Sequence, residues 1–323
     1  MGILNHLLLF LFSSAVIWFF SGLLIDSVDR VAKRINQTGF TVAFFVLGFL
    51  TSISEISVAV NSSLEHQPQI SAGNLVGASL VILMLIVPLL AIANNGISLK
   101  HTISRKNMAL ALGVIMLPPL FVMDGVVSRA EGIIILMFYS ILIFSIRKKN
   151  SILQTIELVD EDLLNKKHTN KTDAVKILLG AMFIFGAGHI LVSEGIFFSS
   201  LLGAPSSLIG LVALSIGTNV PEIVIAVRSI LKNHAEIAFG DYLGSAVANT
   251  PIFGLLALFN GKFSVEPNEF LITCLLMGLG LVLFYIYAGS KNTISKKEGF
   301  VLLYVYIIFF IIQTGALIKL SLK

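Results

Sequence analysis

The sequence predicts an all-α polytopic membrane protein of about ten transmembrane helices in two inverted five-helix repeats. Three observations predict it. The 323-residue chain is 56% hydrophobic and 12% charged, with a mean hydropathy of +0.94; soluble domains carry about 25% charged residues. The apolar residues gather into ten runs long enough to cross a bilayer, for which about 20 residues suffice. One polar stretch, Arg147–Asp173, divides those runs five and five.

In chain order the predicted spans are roughly 3–25, 39–64, 70–97, 107–123, 128–146, 174–200, 206–231, 236–259, 269–289 and 298–319. Met1–Phe20 has no basic leader, and its apolar run is long enough to remain as a first helix. The organisation expected is therefore a first half over 1–147, a polar linker over 148–172 and a second half over 173–323. With the N-terminus outside, 18 of the 22 Lys and Arg fall in loops on the inner side, leaving Arg129, Lys262, Lys319 and Lys323 outside. Basic loops stay cytoplasmic. A multi-pass protein of the cell membrane follows, with both termini outside and the 147–173 linker in the cytoplasm. Five spans per half give the second half the opposite orientation, an arrangement that places ion and substrate sites at the midplane on broken helices.

The halves also repeat in sequence. With an offset of 167 and no gap, Thr51–Gly77 aligns with Thr218–Gly244, and ten of the 27 positions are identical, including Glu55/Glu222, Gly73/Gly240 and Gly77/Gly244. The repeated segments extend over about 39–93 and 206–260. A carboxylate at the bilayer centre costs about 2.5–3.5 kcal/mol on insertion scales and normally faces a partner or a watery cavity. No lysine or arginine is placed at the depth of Glu55 or Glu222. The pair therefore marks a central ion site. Pro221 removes a backbone donor, which predicts a helix break near Gly217–Thr218. Thr51, Ser52, Thr218, Asn219, Ser245 and Asn249 add oxygen donors of the kind hard cations take, with Asn74 and Asp241 as further candidates. Asp241 also reads as an acid at a helix start. Gly73/Gly77 and Gly240/Gly244 read as packing glycines that let helices approach. Ser54, Ser57 and the threonines also fit hydroxyls bonded back to their own helix. His189 and Glu194, five apart, do not share a helical face.

Other classes find little support. The single cysteine, Cys274, excludes an internal disulfide or a cysteine metal cage. No His-rich metal motif or Ser/His/Asp set points to an enzyme, and the net charge of +4, gathered in loops, needs no nucleic acid. No cofactor is expected; the partners are inorganic cations and the lipid bilayer.

The two segments resemble the cation/calcium exchanger superfamily, whose two alpha-repeats read G-T-S-L-P-E followed by G-N-x-x-G-S-x-x-x-N/D, and the resemblance covers essentially the whole chain. Within it the chain resembles the compact ten-helix prokaryotic sodium/calcium exchangers. The resemblance implies eight core helices around the site, and first and sixth helices that swing to alternate access. It also implies exchange of Na⁺ for Ca²⁺ by the cation-binding residues Glu55, Glu222, Thr51, Ser52, Thr218, Asn219, Ser245 and Asn249. The second repeat follows the motif closely, with Asn219 in place of serine. The first departs from it: Leu50-Thr51-Ser52-Ile53-Ser54-Glu55 lacks the glycine and proline, Ala78 replaces the serine and Ile82 the ligand asparagine. Two oxygen donors are gone from one half, which leaves two alternatives to the Na⁺/Ca²⁺ reading: a proton-coupled or otherwise divergent cation exchanger, and a non-transporting protein that kept the fold.

The orientation is testable by chemistry on a single thiol. Ser151→Cys in a Cys274→Ala background should react with a membrane-impermeant maleimide only after intact cells are permeabilised; labelling of intact cells would invert the topology.

Overall fold

The computed structural model describes residues 2–32, 44, 48–99, 104–147, 171–220, 222, 223, 226, 235–290 and 292–321. These form a helical bundle. Seven of the described helices are long and apolar enough to span a bilayer. In order, α1 is Ile3–Ala32, followed by the short α2 (Gly48–Thr51) and α3 (Ile53–Leu64). Next, α4 (Pro68–Val81) runs through a π-helical turn, Ile82–Ile86, into α5 (Val87–Ala93). The half closes with α6 (Arg105–Phe121) and α7 (Arg129–Arg147). The second half begins with α8 (Lys171–Leu202), then α9 (Ser206–Ile209), a π-helical turn Gly210–Leu214 and α10 (Ser215–Thr218). It ends with α11 (Ala235–Asn260), α12 (Pro267–Ser290) and α13 (Lys296–Ser321). Residues 148–170 of the expected linker lie outside the described residues.

Burial separates centre from rim. The membrane-crossing stretch of Pro68–Ala93 is 83% buried and that of Tyr242–Asn260 78%, against 17% for Ile3–Phe20 and 22% for Arg129–Ile146. The first two are therefore the core of the bundle, and the last two present their apolar side chains to lipid. The helices α1 and α8 run along each other on the outside, joined by stacked Phe20 and Phe183, with ring centroids 4.3 Å apart, and by His6 stacked on Phe197. Glu194, which the sequence places off the face of His189, is hydrogen-bonded to His6 Nδ1 at 2.8 Å, across from α8 to α1. His189 lies 3.7 Å from Glu65.

The 167-residue repeat reaches well beyond the aligned segment. Ser128 and Glu131 form a capping box at the start of α7, the Ser128 N–H and hydroxyl donating to Glu131 Oε2 at 2.6 and 2.9 Å. Ser295 and Glu298, the same positions of the second half, do so at the start of α13, both at 2.7 Å. Each box satisfies donors that a helix start leaves open. Two antiparallel ladders of two residues each, absent from the all-α expectation, tie the ends of the halves. They join β1 (Ile97–Ser98) to β4 (Thr293–Ile294) and β2 (Val126–Val127) to β3 (Phe263–Ser264). The offset of 167 carries β2 onto β4 and the start of β1 onto Ser264, so the two clips are counterparts.

Glycines make the contact between halves close enough. A Cβ on Gly77 would run into the Leu211 carbonyl oxygen, and one on Gly244 into that of Phe44. These are one contact seen twice, since Gly77 and Phe44 become Gly244 and Leu211 on adding the offset. A Cβ on Gly73 would likewise meet the Ser207 carbonyl. Backbones packed this tightly hold helix to helix without a hydrophobic driving force from lipid. The repeat axis itself is marked by Ser79, whose hydroxyl donates to the carbonyl of Ala246, its own counterpart, at 3.3 Å.

Gly77→Ala and Gly244→Ala should each destabilise the purified protein by about 1–3 kcal/mol, the range for overpacking, read as a lowered unfolding temperature. Gly113→Ala, whose methyl would meet nothing within 4 Å, should leave that temperature unchanged or raise it.

Candidate functional site

Both repeats break their first helix at the same place. In the first half α2 stops at Thr51, Ser52 stands outside helical geometry at φ −72° and ψ 5°, and α3 resumes at Ile53. In the second, α10 stops at Thr218 and Asn219 takes φ −88° and ψ 10°; Glu222 and Ile223 are helical again. Ser52 and Asn219 are counterparts at the 167-residue offset. The break predicted near Gly217–Thr218 therefore falls at Asn219, and Gly217 is helical. Gly217 serves contact instead: a Cβ there would stand 2.9 Å from Ser14 Oγ on α1. Pro221 lies outside the described residues, and so does the side chain of Asp241. The first half breaks without a proline. Ser52 Oγ donates to the Gly48 carbonyl at 2.8 Å and Ser54 Oγ reaches the Thr51 carbonyl at 3.1 Å; hydroxyls bonded back to carbonyls compete with the helical ladder and bend it.

The breaks bring the predicted residues together in the middle of the bundle. Thr51, Ser52, Glu55, Asn74, Thr218, Asn219, Glu222 and Ser245 are fully buried and Asn249 nearly so. The two carboxylates sit in interlocked networks that cross between halves. Ser54 Oγ donates to Glu55 Oε2 at 2.8 Å and also lies 3.3 Å from the Thr218 carbonyl of the other half. Ser245 Oγ donates to Glu222 Oε1 at 3.2 Å and is 3.2 Å from Ser52 Oγ of the other half. Thr218 Oγ1 donates to Asn74 Oδ1 at 3.3 Å, a third crossing.

Several oxygens at this centre have lone pairs to spare. Asn219 Nδ2 is held by the Ser215 carbonyl at 2.6 Å and Asn249 Nδ2 by Ser79 Oγ at 3.2 Å. Each amide thus turns its oxygen away from its own anchor. Neither Asn219 Oδ1 nor Asn249 Oδ1 accepts a hydrogen bond from the described residues, and neither does Glu55 Oε1. Among the described residues no basic side chain lies within ion-pair distance of Glu55, and no group of three His, Cys, Asp or Glu side chains converges. Buried polar atoms are normally satisfied. Carboxylate, amide and hydroxyl oxygens left with unused lone pairs suit a hard cation of the Na⁺ or Ca²⁺ kind rather than a soft one.

The two halves are unequal. Ser245 and Asn249 have Ala78 and Ile82 as counterparts, both completely buried and without a side-chain oxygen. Two residues outside the predicted set belong to the cluster: Ser54, against Glu55, and Ser79, which anchors Asn249. Ser54 was legible as the residue that stands where the second repeat has Pro221. Ser79 carries no signal in sequence, because it has no polar counterpart in the other half and reaches the site only across the repeat axis.

The pattern of the sodium/calcium exchanger protein family matches residues 5–146 and 173–315. The chain belongs to that family. The sodium/calcium exchanger MaX1 of Methanosarcina acetivorans is 33% identical over 137 residues, 42% of this chain and 39% of MaX1. An uncharacterised membrane protein of Methanocaldococcus jannaschii is 24% identical over 299 residues, 93% of this chain and 95% of its own length. A putative antiporter, CaxA of Alkalimonas amylolytica, is 25% identical over 313 residues, 88% and 93% of the two chains. Among solved structures the sodium-calcium exchanger NCX_Mj superposes with a TM-score of 0.65 at 20% identity, covering 95% of this chain and 98% of that one. That likeness is one of fold, a polytopic membrane exchanger built of helices.

Proposed function

We propose that this family member is a secondary-active cation antiporter of sodium/calcium exchanger type that works by alternating access, with ions held at the membrane midplane between Glu55 and Glu222. One observation carries the reading: a fully buried carboxylate, Glu55, without a basic partner among the described residues, sits in a cluster of oxygens that have lone pairs unused. A charge in so dry a place is tolerated when a counter-ion comes and goes. Glu55, Glu222, Thr51, Ser52, Thr218, Asn219, Ser245 and Asn249 are the proposed ion ligands, with Asn74 at their edge. No cofactor takes part; the cargo is Na⁺ with Ca²⁺ or another cation, or H⁺.

The packing of α1 and α8 supports the alternating step. These two lie outside the core and touch the broken helices through small groups: Ser14 against Gly217, and Gly188 against Ser57, whose hydroxyl donates to the Ile184 carbonyl at 3.2 Å. Small residues leave a smooth seam along which a helix pair can shift as a unit. Such a shift opens the site to one side at a time, the two halves, 1–147 and 173–323, framing it. With both termini outside and the linker inside, ions pass between the cell exterior and the cytoplasm.

A proton-coupled or otherwise divergent exchanger is the second reading, and the oxygen-free side chains of Ala78 and Ile82 favour it. Divalent ions take 6–8 oxygens, so the poorer half suits a singly charged ion.

Purified protein in liposomes should move ⁴⁵Ca²⁺ when a Na⁺ gradient is imposed, and both Glu55→Gln and Glu222→Gln should abolish that flux while leaving the protein monodisperse. A pH gradient that drives Ca²⁺ where Na⁺ does not would select the second reading. Absence of any cation flux in the wild type would identify a scaffold that kept the fold without transport.

A further inference from the structure

We propose that the Ser54 hydroxyl is a cation ligand of the Glu55 half of the site and tunes that half to a monovalent ion; the inference rests on the exchange function proposed above. Ser54 occupies the position that Pro221 holds in the second repeat. One half has a ring that can neither donate nor ligate, the other a hydroxyl.

The geometry around that hydroxyl is unusual. Ser54 Oγ lies 2.8 Å from Glu55 Oε2, 3.1 Å from the Thr51 carbonyl oxygen and 3.3 Å from the Thr218 carbonyl oxygen. All four residues are fully buried. A serine hydroxyl has one hydrogen, so it can donate to only one of these three oxygens at a time, and its lone pairs face the others. Glu55 Oε1, on the same carboxylate, accepts no hydrogen bond from the described residues. One carboxylate oxygen and two carbonyls thus gather around a single hydroxyl. The two carbonyls come from opposite halves, each from the last helical residue before its break. Mutual repulsion among hard oxygens is relieved when a dehydrated cation stands between them. Without the ion the hydroxyl donates to Glu55; with it, rotation about the Cβ–Oγ axis turns a lone pair inward and the same atom becomes a ligand.

The charge of this cluster selects the ion. Its four oxygens carry one carboxylate charge, fewer than the 6–8 oxygens of a Ca²⁺ shell. The cluster therefore matches Na⁺, and a divalent ion is held instead from the Glu222 half, where Ser245 and Asn249 keep their oxygens. Ser54 also offsets a loss. Ser245 donates to Glu222, and its counterpart Ala78 has nothing to give Glu55. A hydroxyl reaches Glu55 instead from its own helix, at the place where a proline was dispensable because Ser52 already bends the chain.

Na⁺-driven ⁴⁵Ca²⁺ uptake in proteoliposomes, measured against Na⁺ and then Ca²⁺ concentration, tests the assignment. In Ser54→Ala the half-saturating Na⁺ concentration should rise about five- to tenfold, as expected for loss of one polar contact, and the Ca²⁺ value should stay within about twofold. Ser54→Pro, which copies the second repeat, should behave as Ser54→Ala does. An unchanged Na⁺ dependence, or equal losses for Na⁺ and Ca²⁺, overturns the proposal, since a merely structural serine has no reason to separate the ions. Should the wild type transport nothing, the exchange reading fails and the ligand is still testable. Na⁺ should then raise the unfolding temperature of the wild type in detergent, as ligands of the native state do, and not that of Ser54→Ala; equal stabilisation of both overturns the assignment.

Discussion

Two carboxylates buried in the dry centre of a membrane bundle are the constraint on which the rest of the structure depends. An ionised group there is costly unless oxygen dipoles, hydrogen-bond donors and a counter-ion surround it. A continuous helix cannot supply them, because its carbonyls and N–H groups are spent on its own ladder. The breaks at Ser52 and Asn219 answer that need in both halves. They turn polar groups inward at one depth and put Glu55 and Glu222 directly after. The glycine contacts follow from the same need, since Gly77 and Gly244 let the opposite half's backbone reach the centre. The side-chain networks of both carboxylates reach across to the opposite half, so the cluster draws on both.

Duplication explains the framework, and departures from it explain the chemistry. The offset of 167 governs the breaks, the close glycine contacts, the capping boxes and the ladder clips. These features set backbone position, and both halves need them equally. The proposed ligand positions have diverged. Ser245 and Asn249 keep oxygen on one side; Ala78 and Ile82 do not on the other, where Ser54 lies against Glu55 and Ser79 anchors Asn249 across the axis. A site with unequal halves has no reason to hold like ions in them. This inequality separates the chain from a simple symmetric reading of its own repeat.

The legible part of the site was its rare residues. A glutamate in an apolar run is conspicuous, and the same glutamate at the same register twice is more so. The spans were legible because hydropathy is decided residue by residue. Other features were hidden because their meaning lies in a partner far along the chain. His6 is unremarkable until α1 lies beside α8 and brings it to Glu194, 188 residues away. The break at Ser52 carries no proline. The capping boxes at Ser128 and Ser295 were readable as Ser-x-x-Glu before an apolar run, and the short ladders were not, since two residues carry no periodicity.

The sequence by itself determined membership of the membrane, the two-fold repeat and the charged pair at its centre. Each follows from composition or register, properties that every local stretch of chain carries with it. The tertiary structure alone decided which oxygens meet. Asn249 meets Ser79, Ser52 meets Ser245, Ser54 faces Thr218 and Thr218 meets Asn74, and the nearest of these pairs in sequence is 144 residues apart. Hydrogen bonds act over about 3 Å, a distance fixed only when the glycine contacts let opposite halves close on one another.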